Sequence, residues 1–290
     1  MLDIHKVKMN WKQGLPGGLT WFIIGQPKSG KTTATSKWSN KGNAGVLIID
    51  TDRGGQYVEG ANIVPCISLK TPIRAKKTKE GKQLVRNGVP EYEAIPPEKR
   101  GYFHTIGEDK GKPKAVYSLD EIYKALKEEW SGMPYDTLVI DTVNMLNTWS
   151  EQRVCKELKI KTMGDAEFGK DWGRAKKEVL TYILKFQKLV WQTATTLILI
   201  SHSKQTIMID NKAQLTPELP RGLANNICGK SDIIGYTTGS NKDNKFEISF
   251  QAYDERSIGS RLRPLAQKKL PLDYKAILKE VNSYKESKDE

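Results

Sequence analysis

Residues Gly25, Gln26, Pro27, Lys28, Ser29, Gly30, Lys31 and Thr32 fit the pattern G-x-x-x-x-G-K-[ST] at every position. The apolar run Trp21, Phe22, Ile23, Ile24 precedes them, and Thr33 to Trp38 read as the start of a helix. A buried strand that runs through a glycine loop into a helix commits the chain to an α/β layer fold built around a phosphate-binding loop. Glycine lets the backbone wrap phosphates, and successive N–H groups then point into one concave nest. The helix start adds its positive end. Gly25 through Thr33 form the predicted nucleotide cradle. Lys31 is placed to contact the β- and γ-phosphates, and the Thr32 hydroxyl to hold Mg²⁺. The expected ligand is a nucleoside triphosphate with Mg²⁺.

The order of elements extends this reading. A strand is expected at 20–24, a helix to about Asn40, and a buried parallel strand at Val46–Ile49 ending in Asp50, Thr51 and Asp52. Residues 66–116 are rich in Lys, Pro and Gly and read as an insertion between core strands. Ser118 and Glu121 form a capping box that opens a helix to about Trp130, with Ile122, Leu126 and Trp130 on one face. Thr137–Asp141 is the next buried strand. A long helix is expected from about Trp172 to Gln192, with Leu180, Ile183, Leu184 and Leu189 toward the sheet. Thr195–Ile200 is a further core strand, followed by a polar loop over 204–226, strands at 231–237 and 245–251, and a helical tail from 273. Residues 1–290 are thus expected to form a single α/β ATPase domain. It has a mostly parallel central sheet flanked by helices, the insertion at about 66–116 and the tail at about 273–290.

Functional groups of such a sheet cluster at the carboxyl ends of its strands. Asp141, after Leu138, Val139 and Ile140, has the Walker B arrangement and can orient Mg²⁺ or one of its waters. Asp52 is the preferred water-activating carboxylate and Asp50 the second candidate; either can instead close a turn. His202 ends a core strand, where a neutral imidazole can both donate and accept and so report on the γ-phosphate. The bland alternative is a polar residue closing a strand. Three scattered histidines give no zinc pattern.

Composition narrows the partners. The formal charge is +13, which favours a polyanion beyond ATP itself. Seven basic residues lie between Lys70 and Arg86: Lys70, Arg74, Lys76, Lys77, Lys79, Lys82 and Arg86. Cys66, Cys155 and Cys228 are odd in number and widely spaced, which argues for a reducing compartment and against a disulfide scaffold. The first residues lack an apolar core of signal-peptide type, and the apolar runs are strand-sized. A cytoplasmic protein with no membrane partner is expected.

Taken together, Gly25–Thr32, Ile48–Asp52, Leu138–Asp141 and Ile200–His202 resemble the RecA-like P-loop ATPase core, AAA_24-like in kind. The likeness is closer still to phage-encoded, shortened RecA/Rad51-like proteins of single-strand annealing and recombination. Residues 259–265 and 270–274 are also similar to that group. The resemblance implies single-stranded DNA as ligand, a homo-oligomeric ring or filament with ATP at subunit junctions, a single-stranded DNA-binding protein as a further partner, and, if phage-encoded, the bacterial host cytoplasm. It places DNA-binding loops at roughly 144–171 and 203–226, and Arg221, Lys230 or Arg261 as candidates to reach a neighbour's γ-phosphate. Where the family usually has Glu as catalytic base, this chain has the shorter Asp52, so slow turnover is one expectation. A helicase, translocase or replication accessory ATPase is the competing function. A small-substrate kinase has no acceptor signature here, and the basic insertion speaks against a nucleotide switch with no nucleic acid.

Overall fold

The computed structural model describes residues 15–207, 213–238, 246–251 and 258–286. β1 (Thr20–Gly25) runs through the glycine loop into α1 (Lys31–Thr35). The helix expected to reach Asn40 stops early. The hydroxyls of Thr35 and Ser36 bond back to the carbonyls of Lys31 and Thr33 at 2.9 and 2.8 Å, and Trp38 turns inward against Trp21. β2 (Val46–Asp50) follows as expected. β3 (Asn62–Ser68) was not expected as a strand, because Pro65 interrupts it and its residues show no clean alternation. It nonetheless pairs parallel to β2, with Pro65 opposite Asp50.

The insertion therefore begins after β3 rather than at Cys66. β4 (Ile73–Ala75), β5 (Val85–Arg86), β6 (Val89–Pro90) and β7 (Tyr92–Ala94) make two antiparallel pairs, β4 with β7 and β5 with β6. The chain rejoins the main sheet at β8 (Tyr117–Ser118), parallel to β3. Three of the seven basic residues of the run are already ion-paired: Lys70 with Asp120, Arg74 with Glu93 and Lys76 with Glu91. Lys77, Lys79, Lys82 and Arg86 remain as its free charges among the described residues.

α2 (Leu119–Glu129) carries the capping box predicted for it. β9 (Thr137–Asp141) leads into α3 (Val143–Leu158), a helix in the segment read as mixed. Its buried positions include Asn147 and Ser150, so its inner face is not marked by apolar residues alone. α4 (Lys170–Thr193) has Ile183 and Leu189 in the core and Leu180 partly buried, but Leu184 faces solvent with 45% of its surface exposed. Leu184 lies one residue past Ile183, about 100° round the helix from the buried stripe. β10 (Thr196–Ile207) outruns the sheet and folds back with β11 (Ala213–Pro217), and α5 (Arg221–Lys230) follows, where a polar loop was expected. β12 (Ile233–Thr238), β13 (Glu247–Ser249), β14 (Gly259–Ser260), β15 (Lys269–Pro271) and α6 (Tyr274–Glu286) complete the described chain.

Among the described residues the main sheet has the order β15-β13-β12-β1-β10-β9-β2-β3-β8, with β11 on β10 and β14 on β12. From β12 to β8 every neighbouring pair is parallel. Alternation sends successive side chains to opposite faces, and both faces are covered, which is why these strands read as unbroken apolar runs. Phe22, Leu47, Leu138 and Leu197 meet α2, α3, α4 and α5; Trp21, Ile48, Val139 and Ile198 meet Trp38, Leu265 and α6. The order puts β10 between β1 and β9, so the ends of β1, β10, β9 and β2 lie side by side. Among the described residues no helix is long and apolar enough to cross a membrane.

Candidate active site

The loop after β1 is held in a tight, pre-shaped arc. Gly25 lies so close to β12 that a Cβ there would stand 1.7 Å from Thr237 Oγ1. Gly30 has a φ of +74°, and a Cβ there would meet the Phe246 ring at 2.4 Å. Both positions require glycine for reasons of contact, and Gly30 for its left-handed backbone as well. Ser29 Oγ and Thr237 Oγ1 share a hydrogen bond of 2.7 Å, fixing the loop to its neighbouring strand. The first N–H groups of α1 point out of the helix start with no intrahelical partner.

Lys31 is buried, and its ammonium donates to the carbonyls of Gly25 and Gln26 at 2.9 and 2.7 Å and to Ser29 Oγ at 3.3 Å. Burial pulls its pKa down to about 8, against the opposing pull of the Asp141 and Asp52 carboxylates. Thr32 donates its hydroxyl to Asp141 Oδ2 at 2.5 Å. The two residues thus come together from α1 and from the end of β9, across the intervening β10. Burial pushes the Asp141 carboxyl up to about 7, with Asp52 and Asp50 adding to the rise and the Thr32 hydrogen bond opposing it.

Asp50 sits opposite Asp141 in the β2–β9 register. Its Oδ2 accepts the Gly55 N–H at 3.2 Å, while Oδ1 is buried without a hydrogen-bond partner. Burial, reinforced by the Asp52 charge, raises its pKa to about 6. The chain leaves the sheet at Thr51, whose hydroxyl exchanges hydrogen bonds with the backbone of Thr142 at 2.6 and 3.0 Å. Asp52 is more open than Asp50. One oxygen accepts the Gly54 N–H at 3.1 Å, a turn-closing contact, and the other faces His202 Nε2 at 3.6 Å. That separation is beyond direct hydrogen bonding, and the Asp52 carboxylate stays partly open to solvent. His202 Nδ1 is buried without a partner among the described residues.

All the predicted strand-end residues therefore converge: the cradle, Lys31, Asp50, Asp52, Asp141 and His202. Lys230 and Arg261 do not join them. Lys230 ends α5, and its carbonyl accepts from Gln187. Arg261 is paired with Asp232, whose backbone bonds Thr20 at the far end of β1. Arg221 starts α5, on the carboxyl-end side of β10.

Several participants carried no legible signal. Asn144 accepts the His202 N–H at 3.0 Å and donates to the Glu218 carbonyl at 2.6 Å. Only its place three residues after Asp141, in the first turn of α3, could have suggested it. Arg53 lies over the Tyr102 ring at 4.9 Å, and Thr105 donates to Gln56 at 3.2 Å, so the insertion touches the Asp52 turn. No local pattern in the insertion announces that contact.

The sequence model of the AAA domain family (AAA_24) matches residues 18–263, from the lead into β1 to beyond β14. The chain belongs to the AAA domain family. It is a P-loop NTPase of the AAA+ superfamily, an ATP-binding and ATP-hydrolysing protein, and its mixed, mostly parallel sheet flanked by helices is the fold of that core. The match does not reach the finer RecA/Rad51 or phage resemblance. No curated protein matches this AAA domain chain.

The residues present fit Mg²⁺ as a phosphate-borne ion. Among the described residues no three acidic, His or Cys side chains cluster tightly enough to hold a metal themselves. A hydroxyl and a carboxylate already in contact, with a second carboxylate oxygen orphaned nearby, supply the few protein ligands that Mg²⁺ takes when phosphates and waters provide the rest.

Proposed function

We propose that this protein is a cytoplasmic Mg²⁺-dependent ATPase that binds single-stranded DNA under nucleotide control, acting in recombination or annealing. In this reading Lys31 and the N–H groups from Gly25 to Thr33 hold the triphosphate. Thr32 and Asp141 would hold Mg²⁺, and the bound ion would supply charge neutralisation at the transferring phosphoryl group. Asp52 takes the proton of the attacking water, with Asp50 buried behind it. His202 stands beside Asp52 and senses whether the γ-phosphate is present. Copies assemble with ATP at their junctions, and Arg221, at the carboxyl-end side, is the best-placed cation to act on a neighbour's nucleotide.

One observation carries the link to DNA. His202 is tied through Asn144 to Glu218, and Glu218 opens the path to α5. The start of α5, with Pro220 and Gly222, lines a groove of about 380 Å³ with Trp172 and Lys176 of α4. Phe168, 96% exposed and held at a left-handed φ of +54°, stands beside it. Aromatic faces next to cations suit stacked bases and backbone phosphates. The loop expected over 144–171 is thus mostly helix, with its loop portion at 159–169 leading to this groove.

The test is oligo-dT binding by fluorescence anisotropy with and without ATP, in wild type and Lys31→Ala. Wild type should bind more tightly with ATP, and Lys31→Ala should lose nucleotide binding and with it the ATP effect. Absence of oligo-dT binding in every nucleotide state would refute the DNA reading. Strand displacement driven by hydrolysis would instead support the helicase or translocase alternative.

A further inference from the structure

We propose a second polyanion site, a cationic stripe along the outer face of α4 that binds the phosphodiester backbone of single-stranded DNA. It rests on the single-stranded DNA reading above and is distinct from the Trp172 groove. Lys170, Arg174, Lys177 and Lys188 are exposed on α4 at helical spacing, over roughly 30 Å of axis at 1.5 Å per residue. The two carboxylates of the same helix are already engaged. Asp171 is fully buried and accepts the backbone N–H groups of Gly164 and Trp172, while Glu178 is taken up by Ser150 and Arg153. Like charges at this spacing destabilise a helix, so local stability does not explain the stripe.

A groove of about 380 Å³ deepens its middle, where Lys70, Arg153, Arg174, Lys177 and Lys185 converge from three elements. The carboxylates nearby are committed. Glu157 and Glu178 pair with Arg153, and Asp120 is shared by Lys70 and Lys185. Arg174 and Lys177 are left with no carboxylate partner among the described residues. An open groove continued by a line of cations matches an extended chain of phosphates better than a compact anion. Trp191, 71% exposed near the end of the helix, offers a flat face for a base, which an acidic polypeptide would not need.

The experiment measures oligo-dT affinity against salt for the full-length protein, for Arg174→Gln/Lys177→Gln, and for Lys275→Gln/Lys279→Gln. The last pair removes the same charge from exposed positions on α6, on the opposite face of the sheet. At ~0.7 in log K per log salt for each lost contact, the α4 pair should weaken binding roughly twenty-fold at 0.1 M salt and reduce the slope by about 1.4. The α6 pair should leave both unchanged, and basal ATPase activity should be unaffected in both variants. Trp191→Ala should lower affinity about five-fold or more with the slope preserved. Wild type that fails to bind oligo-dT would sink the DNA reading itself. Wild type that binds, with an α4 pair indistinguishable from wild type or from the α6 pair, would overturn the stripe alone. So would poly-glutamate competing with oligo-dT as well as a nucleic acid of equal charge.

Discussion

At the scale of single residues, the site divides labour by burial. Asp141 and Asp50 are buried and Asp52 is partly open, so the three carboxylates at neighbouring strand ends differ in what they can reach. Asp52→Asn should retain ATP binding and lower turnover by roughly 10²-fold or more, in the range usual for a lost general base. Asp141→Asn should instead raise the Mg²⁺ concentration needed for half-maximal hydrolysis. A steady-state ATPase assay across Mg²⁺ concentrations separates the two, and unchanged turnover in the Asp52 variant would pass the base role to Asp50. The raised pKa values also predict a stability profile. Between about pH 4 and 7 the folded protein holds protons on Asp141 and Asp50 that the unfolded chain has lost, so these groups favour folding least at the upper end of that window. The nucleotide-free protein should therefore lose stability from pH 5 to 7.5 through these two residues. Asp141→Asn should flatten that fall by on the order of 2 kcal/mol, a shift of several degrees in melting temperature. An equally steep profile in the variant would show that Asp141 titrates normally.

At the scale of elements, the insertion is a fastened body. Arg100 is almost wholly buried; its guanidinium donates to the Ile95 and Val116 carbonyls and to both oxygens of Glu121. Burial alone would raise the Glu121 pKa, but Arg100 and the Ser118 contacts outweigh it and hold it down to about 2. Arg100→Ala strands that carboxylate and should cost roughly 3–5 kcal/mol, read by urea denaturation. The contribution of Glu121 should persist above about pH 4.5 and fade as pH drops toward 2. A loss under 1 kcal/mol would mean that the anchor is incidental. This junction also marks the limit of what was legible. The capping box at Ser118 and the four central strands could be read because their rules are local: a fixed spacing, or a run buried on both faces. The brevity of α1, the strand β3 and the helix α3 could not. Each is decided by tertiary partners: Trp38 against Trp21, Pro65 beside Asp50, and Asn147 and Ser150 facing α4. The nucleotide site was legible for the same reason as the strands, since its residues sit in a continuous motif or at strand ends. Asn144 and Tyr102 became visible only once the chain had folded them there.

At the scale of the whole molecule, the positive charge is unevenly committed. Three of the seven charges in the run from Lys70 to Arg86 are ion-paired, whereas Lys170, Arg174, Lys177 and Lys188 on the outer face of α4 have no carboxylate partner among the described residues. Among Lys77, Lys79, Lys82 and Arg86, neutralising the three lysines should therefore reduce the salt slope of DNA binding by no more than about 2, and by less where they are only solvated. In the proposed reading the nucleotide and DNA sites are coupled through Asp52, His202, Asn144 and Glu218. Coupling of this kind is reciprocal. The most direct test is calorimetric titration of a non-hydrolysable ATP analogue into the protein, alone and saturated with oligo-dT. DNA should tighten nucleotide binding about five-fold or more, and Asn144→Ala should erase most of that difference while leaving the DNA-free affinity in place. Identical nucleotide affinity with and without saturating oligo-dT would contradict the account.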